Sequence, residues 1–454
     1  MRVVPLALRR DPYDVLATLA DEPGAFLLQV PGPGHALTLL GCGPSAWLRV
    51  RADGVVERSD GAHAPADPLA AIAEFVGESR PEALPFPLGA DVVGYLAYEL
   101  GRVVEPPRDR GGPRPDLPLA ALARYDALLA YDPERAQYTL VARDGAGRAP
   151  WLERLAAGAR RPPWEGPLAT APLAPVVPRA SYLAAVRRIL AYLAAGDVYQ
   201  VNLTHPFVAP LAAPPWLLAA RLAACHPVPY AGYLDLGDAR LVSNSPELFL
   251  RRRGRRVETR PIKGTRPRGA SAARDLALAT ELARDAKERA EHVMIVDLER
   301  NDLGRVAEVG SVTVERLGEV ASHGTVHHLV STVRARLRPD VDLAELLRAT
   351  FPGGSITGAP KVRAMEIIRE LEAGPRGAYT GAFGVFHPDG DLELALAIRT
   401  AVVRDGMLHY HAGGGIVADS DPEAELAESW LKTAALRLAL GEETRSDLER
   451  CSSG

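Results

Sequence analysis

The chain has 454 residues, 47% hydrophobic and 24% charged, and carries a formal net charge of −4. That composition supports a large buried core and excludes a disordered polymer, and the slight negative charge supplies no field to gather nucleic acid or an anionic membrane surface. Three scattered cysteines, Cys42, Cys225 and Cys451, match neither a disulfide framework nor a metal-ligand spacing, which fits a reducing compartment.

In chain order, residues 1–165 read as a strand-rich region, with strands expected at Phe26–Val30 and Tyr125–Tyr131. The apolar stretch Val3–Leu8 is too short for a secretory core, and no later run approaches the roughly 18 apolar residues of a spanning helix. The expected location is therefore cytoplasmic, with no membrane partner. The stretch 160–178 carries Pro162, Pro163, Pro167, Pro172, Pro175 and Pro178, which excludes helix and central strand and reads as a connector. Beyond it, the apolar spacing predicts a helix over Tyr182–Ala195, strands over Tyr230–Leu236 and Leu241–Leu250, and one long helix from Glu281 to Leu298, ending near Gly304. The run Arg251–Arg256 contains Gly254 between strand-like segments and reads as a solvated hairpin, not a nucleic-acid patch.

Four groups of residues could carry chemistry. Glu288 with Glu291, and Glu425 with Glu428, are spaced by three, which puts each pair on one face of a predicted helix. Were the pairs to converge, a hard dication such as Mg2+ would neutralise them and keep positions open for substrate oxygens. The glycine-rich stretch Phe351–Lys361 precedes a helical pattern with Pro360 at its first position, and Ala359-Pro360 stands where a nucleotide-binding loop needs Lys-Ser/Thr, so a carboxylate suits it better than a triphosphate. His411-Ala-Gly-Gly-Gly415 can bring backbone amides close to an anion, and Asp421-Pro422 then reads as cap and first residue of the helix holding Glu425 and Glu428. Glu247, at a strand end, and Lys263, before a glycine turn, could form an acid and nucleophile pair. His323, His327 and His328 lack the Glu and Cys companions of a zinc site.

Lysine itself is a signal. Only four of the 53 basic side chains are lysine: Lys263, Lys287, Lys361 and Lys432. Arginine cannot give up its proton, whereas lysine can act as a nucleophile or present a compact charge, so each lysine is a candidate for chemistry or tight geometry.

These residues resemble the chorismate-utilising enzymes, the family of anthranilate synthase component I, aminodeoxychorismate synthase component I, isochorismate synthase and salicylate synthase. The resemblance rests on Gly196–Leu203, Ser245-Pro-Glu247, Arg260–Thr265, Ala290–Asp302, His328–Thr332, the 351–361 loop and residues 413–428, with Gly94–Glu99 as a thinner N-terminal match. It implies an α+β fold in which two antiparallel sheets pack as a β-sandwich core with helices outside. Residues 1–165 would complete the same body as a catalytic region at 179–440, followed by a tail at 441–454.

The resemblance also implies roles. Glu291 and Glu428 would bind magnesium, supported by Glu288 and Glu425, and the metal would hold chorismate's ring carboxylate. Tyr379, Arg399 and the amides of Gly413, Gly414 and Gly415 would grip the other carboxylate. Glu247 would protonate the departing hydroxyl, while His328, Thr357 and Lys432 orient groups in the pocket; Lys287 and Lys361 stay open between site and structure. Gln200 stands where the water-activating branches carry a lysine, and Lys263 stands where aminodeoxychorismate synthases carry a nucleophile. In a desolvated pocket that amine would be usable near neutrality. The expected reaction is amination of chorismate to 4-amino-4-deoxychorismate, with anthranilate formation as the rival. Ala427 and Ser429 depart mildly from the family pattern. No Gly-x-Cys-x-Gly elbow is present, so the ammonia would come from a separate glutamine amidotransferase subunit.

Overall fold

Segments such as Phe26-Leu-Leu and Val92-Val-Gly-Tyr-Leu96 are apolar on both sides of the pleat, so such strands must lie between two packed layers. A computed structural model describes residues 2–31, 36–77, 87–89, 91–105, 115–143, 150–158, 163–322 and 326–442. His323, Cys451 and the tail from residue 443 lie outside the described residues.

The fold is α+β, built on two large sheets in which every strand pairing among the described residues is antiparallel. One sheet runs from Arg2–Leu6 through the hairpin strands of the N-terminal region to Phe26–Pro31. It continues through Tyr230–Asp235, Arg240–Ser245, Thr400–Arg404 and Met407–Ile416 to Gln200–Pro210. The other begins at Ile262–Pro267, passes through Val326–Arg336, Arg256–Arg260, Leu248–Arg253, Leu392–Leu396 and Ala382–Phe386, and ends on N-terminal strands from Val92–Leu96 to Val56–Arg58. Both sheets are thus completed by strands from the first 142 residues.

Alternation of side chains builds the layers. Phe26, Leu28, Val93, Tyr95, Leu248 and Phe383 meet between the sheets. Leu27, one residue out of phase, faces helices Pro12–Leu19 and Pro215–Cys225 on the outside of the first sheet. Likewise Val92 and Leu96 turn from Val93 and Tyr95 toward the helices covering the second sheet, among them Pro68–Gly77, Ala286–Gly304 and Leu343–Thr350. Burying a side chain of this size contributes about 1.5–3 kcal/mol relative to leaving it exposed, which favours this register over a one-residue slip.

The structure differs from the sequence expectation at three places. The strand expected over Leu241–Leu250 is two strands, Arg240–Ser245 and Leu248–Arg253, each in a different sheet, with Pro246 and Glu247 as the crossover. Proline has no N–H to give a ladder, so the run cannot continue through it. The single helix expected from Glu281 is Ala272–Arg284 followed by Ala286–Gly304; Asp285 sits extended between them and its carboxylate accepts from the Glu288 amide at 3.0 Å. An internal cap of this kind has no apolar signature. Pro360 is the N-cap of Lys361–Leu371, not its first residue. Within the proline-rich connector, Ala174–Pro175 adds a short edge strand to Gln200–Pro210, a sheet position that tolerates a missing donor.

Candidate active site

The crossover between sheets places Glu247. Its side chain is only 6% exposed, and its Oε1 accepts a hydrogen bond from the Ser355 hydroxyl at 2.8 Å. Burial pushes this carboxyl up to about 7, against the pull of Ser355, the Lys263 ammonium and the Ile262 amide. An acid so poised can hold a proton at neutral pH and release it to a leaving group. Ser355 belongs to the 3-10 turn Gly354–Ile356 in the glycine-rich loop, and Thr357 ends that turn. The Thr357 hydroxyl lies 3.0 Å from the Gly353 carbonyl and 3.2 Å from that of Gly354, so it shapes the loop from within.

Lys263 lies on the strand Ile262–Pro267, where the pairing with Val326–Arg336 slips at Gly264. Gly264 has φ +65°, the left-handed conformation that glycine adopts without a Cβ penalty, and the bulge re-aims the neighbouring side chains. His328 braces the same bulge, its Nδ1 3.2 Å from the Gly264 carbonyl and 3.1 Å from the Thr265 hydroxyl. Among the described residues Lys263 has no carboxylate within ion-pair distance. Its Nζ and the Gln200 side-chain amide instead sit above Gly415: a Cβ built there would lie 3.0 Å from Lys263 Nζ and 2.9 Å from Gln200 Nε2. Gln200 is fully buried, and neither its amide nitrogen nor its amide oxygen has a partner. An unpaired buried amide costs about 1–3 kcal/mol, so this pair of atoms is shaped for something other than the chain itself.

Gly414, one residue back on the strand Met407–Ile416, faces the second carboxylate pair. A Cβ there would meet Glu425 Oε2 at 3.2 Å, Glu428 Oε1 at 3.4 Å and Lys432 Nζ at 3.4 Å. Asp421 caps the helix Pro422–Leu431 through the Glu423 and Ala424 amides, as its sequence indicates, and that start sets the turn on which Glu425 and Glu428 share a face. Ser420 donates to Glu425 Oε1 at 2.6 Å.

The two carboxylate pairs lie within electrostatic reach of each other. Burial raises Glu291 above the ordinary carboxylate range and the Glu425 charge adds to that rise, while Lys263 and Lys287 oppose it. Burial and the Glu428 charge likewise raise Glu425, whereas Lys432, 2.6 Å away, holds Glu428 down. Lys287 lies 4.0 Å from Glu291, and Glu288 turns toward Arg266 at 3.5 Å. Among the described residues no three acidic, histidine or cysteine side chains close on one point as a metal-binding group. The donors are nevertheless hard oxygens beside a glycine whose Cβ would crowd them, a set of the kind that suits Mg2+.

Tyr379 meets the same strand at His411, and Arg399 directly precedes Thr400–Arg404, the strand paired with it. Tyr379 is buried and stacks on His411, with ring centroids 5.2 Å apart. Arg399 has φ +51° and Thr380 φ +59°, a left-handed conformation that costs a non-glycine residue energy. The Arg399 carbonyl accepts from the Asn244 amide at 3.0 Å, and its guanidinium has no acidic partner among the described residues. It is a fork without a carboxylate.

Other site residues carry no local signal. Glu99, from the N-terminal region, accepts from the Arg376 amide at 2.7 Å and the Gly377 amide at 3.0 Å, pinning the turn that leads into Tyr379. Arg376, itself buried, donates to the carbonyls of Ile356 at 2.9 Å and Asn202 at 2.6 Å, tying that turn to the glycine-rich loop and to the strand bearing Gln200. The Gly94–Glu99 likeness was the only sequence pointer to Glu99.

Comparison with known proteins places the chain in a family. The family model described as chorismate binding enzyme matches residues 24–437. The chain is 42% identical to anthranilate synthase component 1 of Thermus thermophilus, covering 96% of each chain. It is 41% identical to aminodeoxychorismate synthase of Streptomyces griseus over 93% of this chain and 61% of that one. Its fold superposes on anthranilate synthase component I from Streptococcus pneumoniae with a TM-score of 0.78 at 28% identity, covering 90% of this chain and 93% of the other.

Proposed function

The chain belongs to the chorismate-binding enzymes, and from that membership we propose that it aminates chorismate with ammonia to 4-amino-4-deoxychorismate. The observation that carries the reading is Lys263, without an ion-pair partner among the described residues, beside the unsatisfied amide of Gln200 over Gly415. Lysine in its neutral form is a nucleophile, and a glutamine amide cannot deprotonate water, so this pair favours nitrogen substitution over hydration.

In the proposed sequence Arg399, with Tyr379 and the amides of Gly413–Gly415, grips one carboxylate of chorismate as a fixed fork. Glu247 gives its proton to the ring hydroxyl, which leaves as water while the Lys263 amine bonds to the ring. Ammonia then displaces Lys263, so that the net change is hydroxyl replaced by amine. His328 keeps the Lys263 strand in its bulged register, and Thr357 keeps the loop that presents Ser355 to Glu247. Glu291, Glu425 and Glu428, with Glu288 behind them, would hold Mg2+, which when bound would neutralise the site and attract the ring carboxylate. Lys432 donates to the Gly413 carbonyl at 2.7 Å and orients the glycine segment. The scattered cysteines fit a cytoplasmic setting, and a separate glutamine amidotransferase subunit would supply ammonia.

A second reading, anthranilate formation with loss of pyruvate, is favoured by the likeness to the Thermus relative over nearly the whole of both chains. The two are separated by incubating the purified chain with chorismate, an ammonium salt and Mg2+ and identifying the product by mass. Aminodeoxychorismate supports the proposal; fluorescent anthranilate and pyruvate would sink it. Lys263→Ala is expected to abolish most of the amination, and Lys263→Arg not to restore it, because a guanidinium keeps the charge without a nucleophilic nitrogen.

A further inference from the structure

We infer that Glu299 is a positioning residue for the acid Glu247, acting through the Gly354–Ser355 turn on which both carboxyls rest. This rests on the reading of Glu247 as general acid. Glu299 lies on the helix Ala286–Gly304, is 4% exposed, and its Oε1 accepts a hydrogen bond from the Gly354 amide at 3.1 Å. The next residue, Ser355, donates its hydroxyl to Glu247. The turn lies flat on the helix: a Cβ at Gly354 would be 2.8 Å from Leu298 Cδ2 and 3.2 Å from Glu299 Oε1. The tether therefore reaches the acid through two adjacent backbone positions.

The groups facing Glu299 decide its charge. Asp302, one turn on along the same helix, is ion-paired with Lys361 from the helix Lys361–Leu371, and among the described residues Glu299 has no ion-pair partner of its own. Burial, Asp302 and Glu247 push its carboxyl up to about 8, against the pull of Lys361 and the Gly354 amide. At neutral pH Glu299 is thus a neutral acid whose contribution is a hydrogen bond rather than a charge. A glutamine has the same shape and the same acceptor.

The test is the pH profile of ammonium-dependent chorismate consumption in Glu299→Leu, Glu299→Asp and Glu299→Gln, with Ser355→Ala and Glu247→Gln alongside. Leu removes the tether and Asp withdraws it by one methylene. Both are expected to lower kcat by at least about tenfold while KM for chorismate stays within about threefold, since the Arg399 grip is untouched. Both are expected to move the alkaline limb upward, because the Ser355 hydrogen bond that favours ionised Glu247 is loosened. Ser355→Ala should move that limb in the same direction, and Glu299→Gln should recover most of the lost turnover. Asp decides the matter if Leu does not fold. Folded Leu or Asp variants with an unchanged kcat and limb would overturn the inference, as would a Gln variant no better than Leu. If Glu247→Gln is fully active, the general-acid reading falls and this inference with it; if it is inactive while the Glu299 variants are normal, only this inference falls.

Discussion

Alanine at the three consecutive glycines of the strand Met407–Ile416 separates support of the fold from clearance of the site. None of Gly413, Gly414 or Gly415 has a positive φ, so alanine brings no backbone penalty and its effect is steric. At Gly413 the new methyl would lie 1.9 Å from the Leu203 carbonyl oxygen and 2.6 Å from the Thr204 Cα, both backbone atoms of the paired strand. That strand pair must open, and the cost should reach or exceed the upper end of the usual overpacking range, ~3 kcal/mol. At Gly415 the nearest atoms are the ends of Gln200 and Lys263, at 2.9 and 3.0 Å, which can swing aside. Gly415→Ala should therefore cost the fold no more than ~1 kcal/mol, yet place a methyl where the reacting ring would lie and lower kcat/KM on the order of 100-fold. Thermal melts should show Gly413→Ala falling by roughly 3 °C or more and Gly415→Ala by roughly 1 °C, at ~1 °C per kcal/mol for a chain of this size. Chorismate turnover measured below both melts completes the comparison. A Gly415→Ala enzyme with normal kcat/KM would show that substrate does not sit over this glycine, and equal melting losses would show that the two clearances were misjudged.

Other consequences follow from the same geometry. Arg399→Lys should raise KM for chorismate by roughly tenfold with kcat largely retained, since a point charge replaces a bidentate fork; an unchanged KM would place the carboxylate elsewhere. Glu247 is raised from an ordinary 4.5 to about 7 in the folded chain. The native state therefore binds the extra proton, and the stability this contributes is complete below about pH 4.5 and is lost as pH rises through 7, on the order of 3 kcal/mol. Denaturant midpoints across that window should decline less in Glu247→Gln than in the parent, and parallel declines would mean that Glu247 is not buried as an acid. Gly414→Ala crowds Glu425 and Glu428 and should weaken the Mg2+ dependence of turnover more than KM for ammonium; titrating Mg2+ against activity checks this.

Some of this was legible before any fold was known. Asp421-Pro422 reads as a helix start because capping depends on neighbours within a turn, and the Gly254 hairpin is local in the same sense. The scarcity of lysine was informative too. Lys263, Lys287 and Lys432 act on the carboxylate of Glu428, and Lys361, left open by sequence as Lys287 was, is half-buried and ion-paired with Asp302. What the tertiary structure decided lies between residues far apart in sequence. Ser355 reaches Glu247 across 108 residues, and Glu99 reaches Arg376 across 277. Pro246 lies inside the run expected as one strand, Leu241–Leu250; both the break there and the passage from one sheet to the other came from the tertiary structure. Glu299 and Glu291 share one helix and one chemistry, and only the packing of loop and sheets buries the first under a turn and turns the second toward Lys263. Local hydrogen-bonding preferences can be read from neighbouring residues, whereas the convergence of charges depends on which distant strands pair, and that is set by burial over the whole chain.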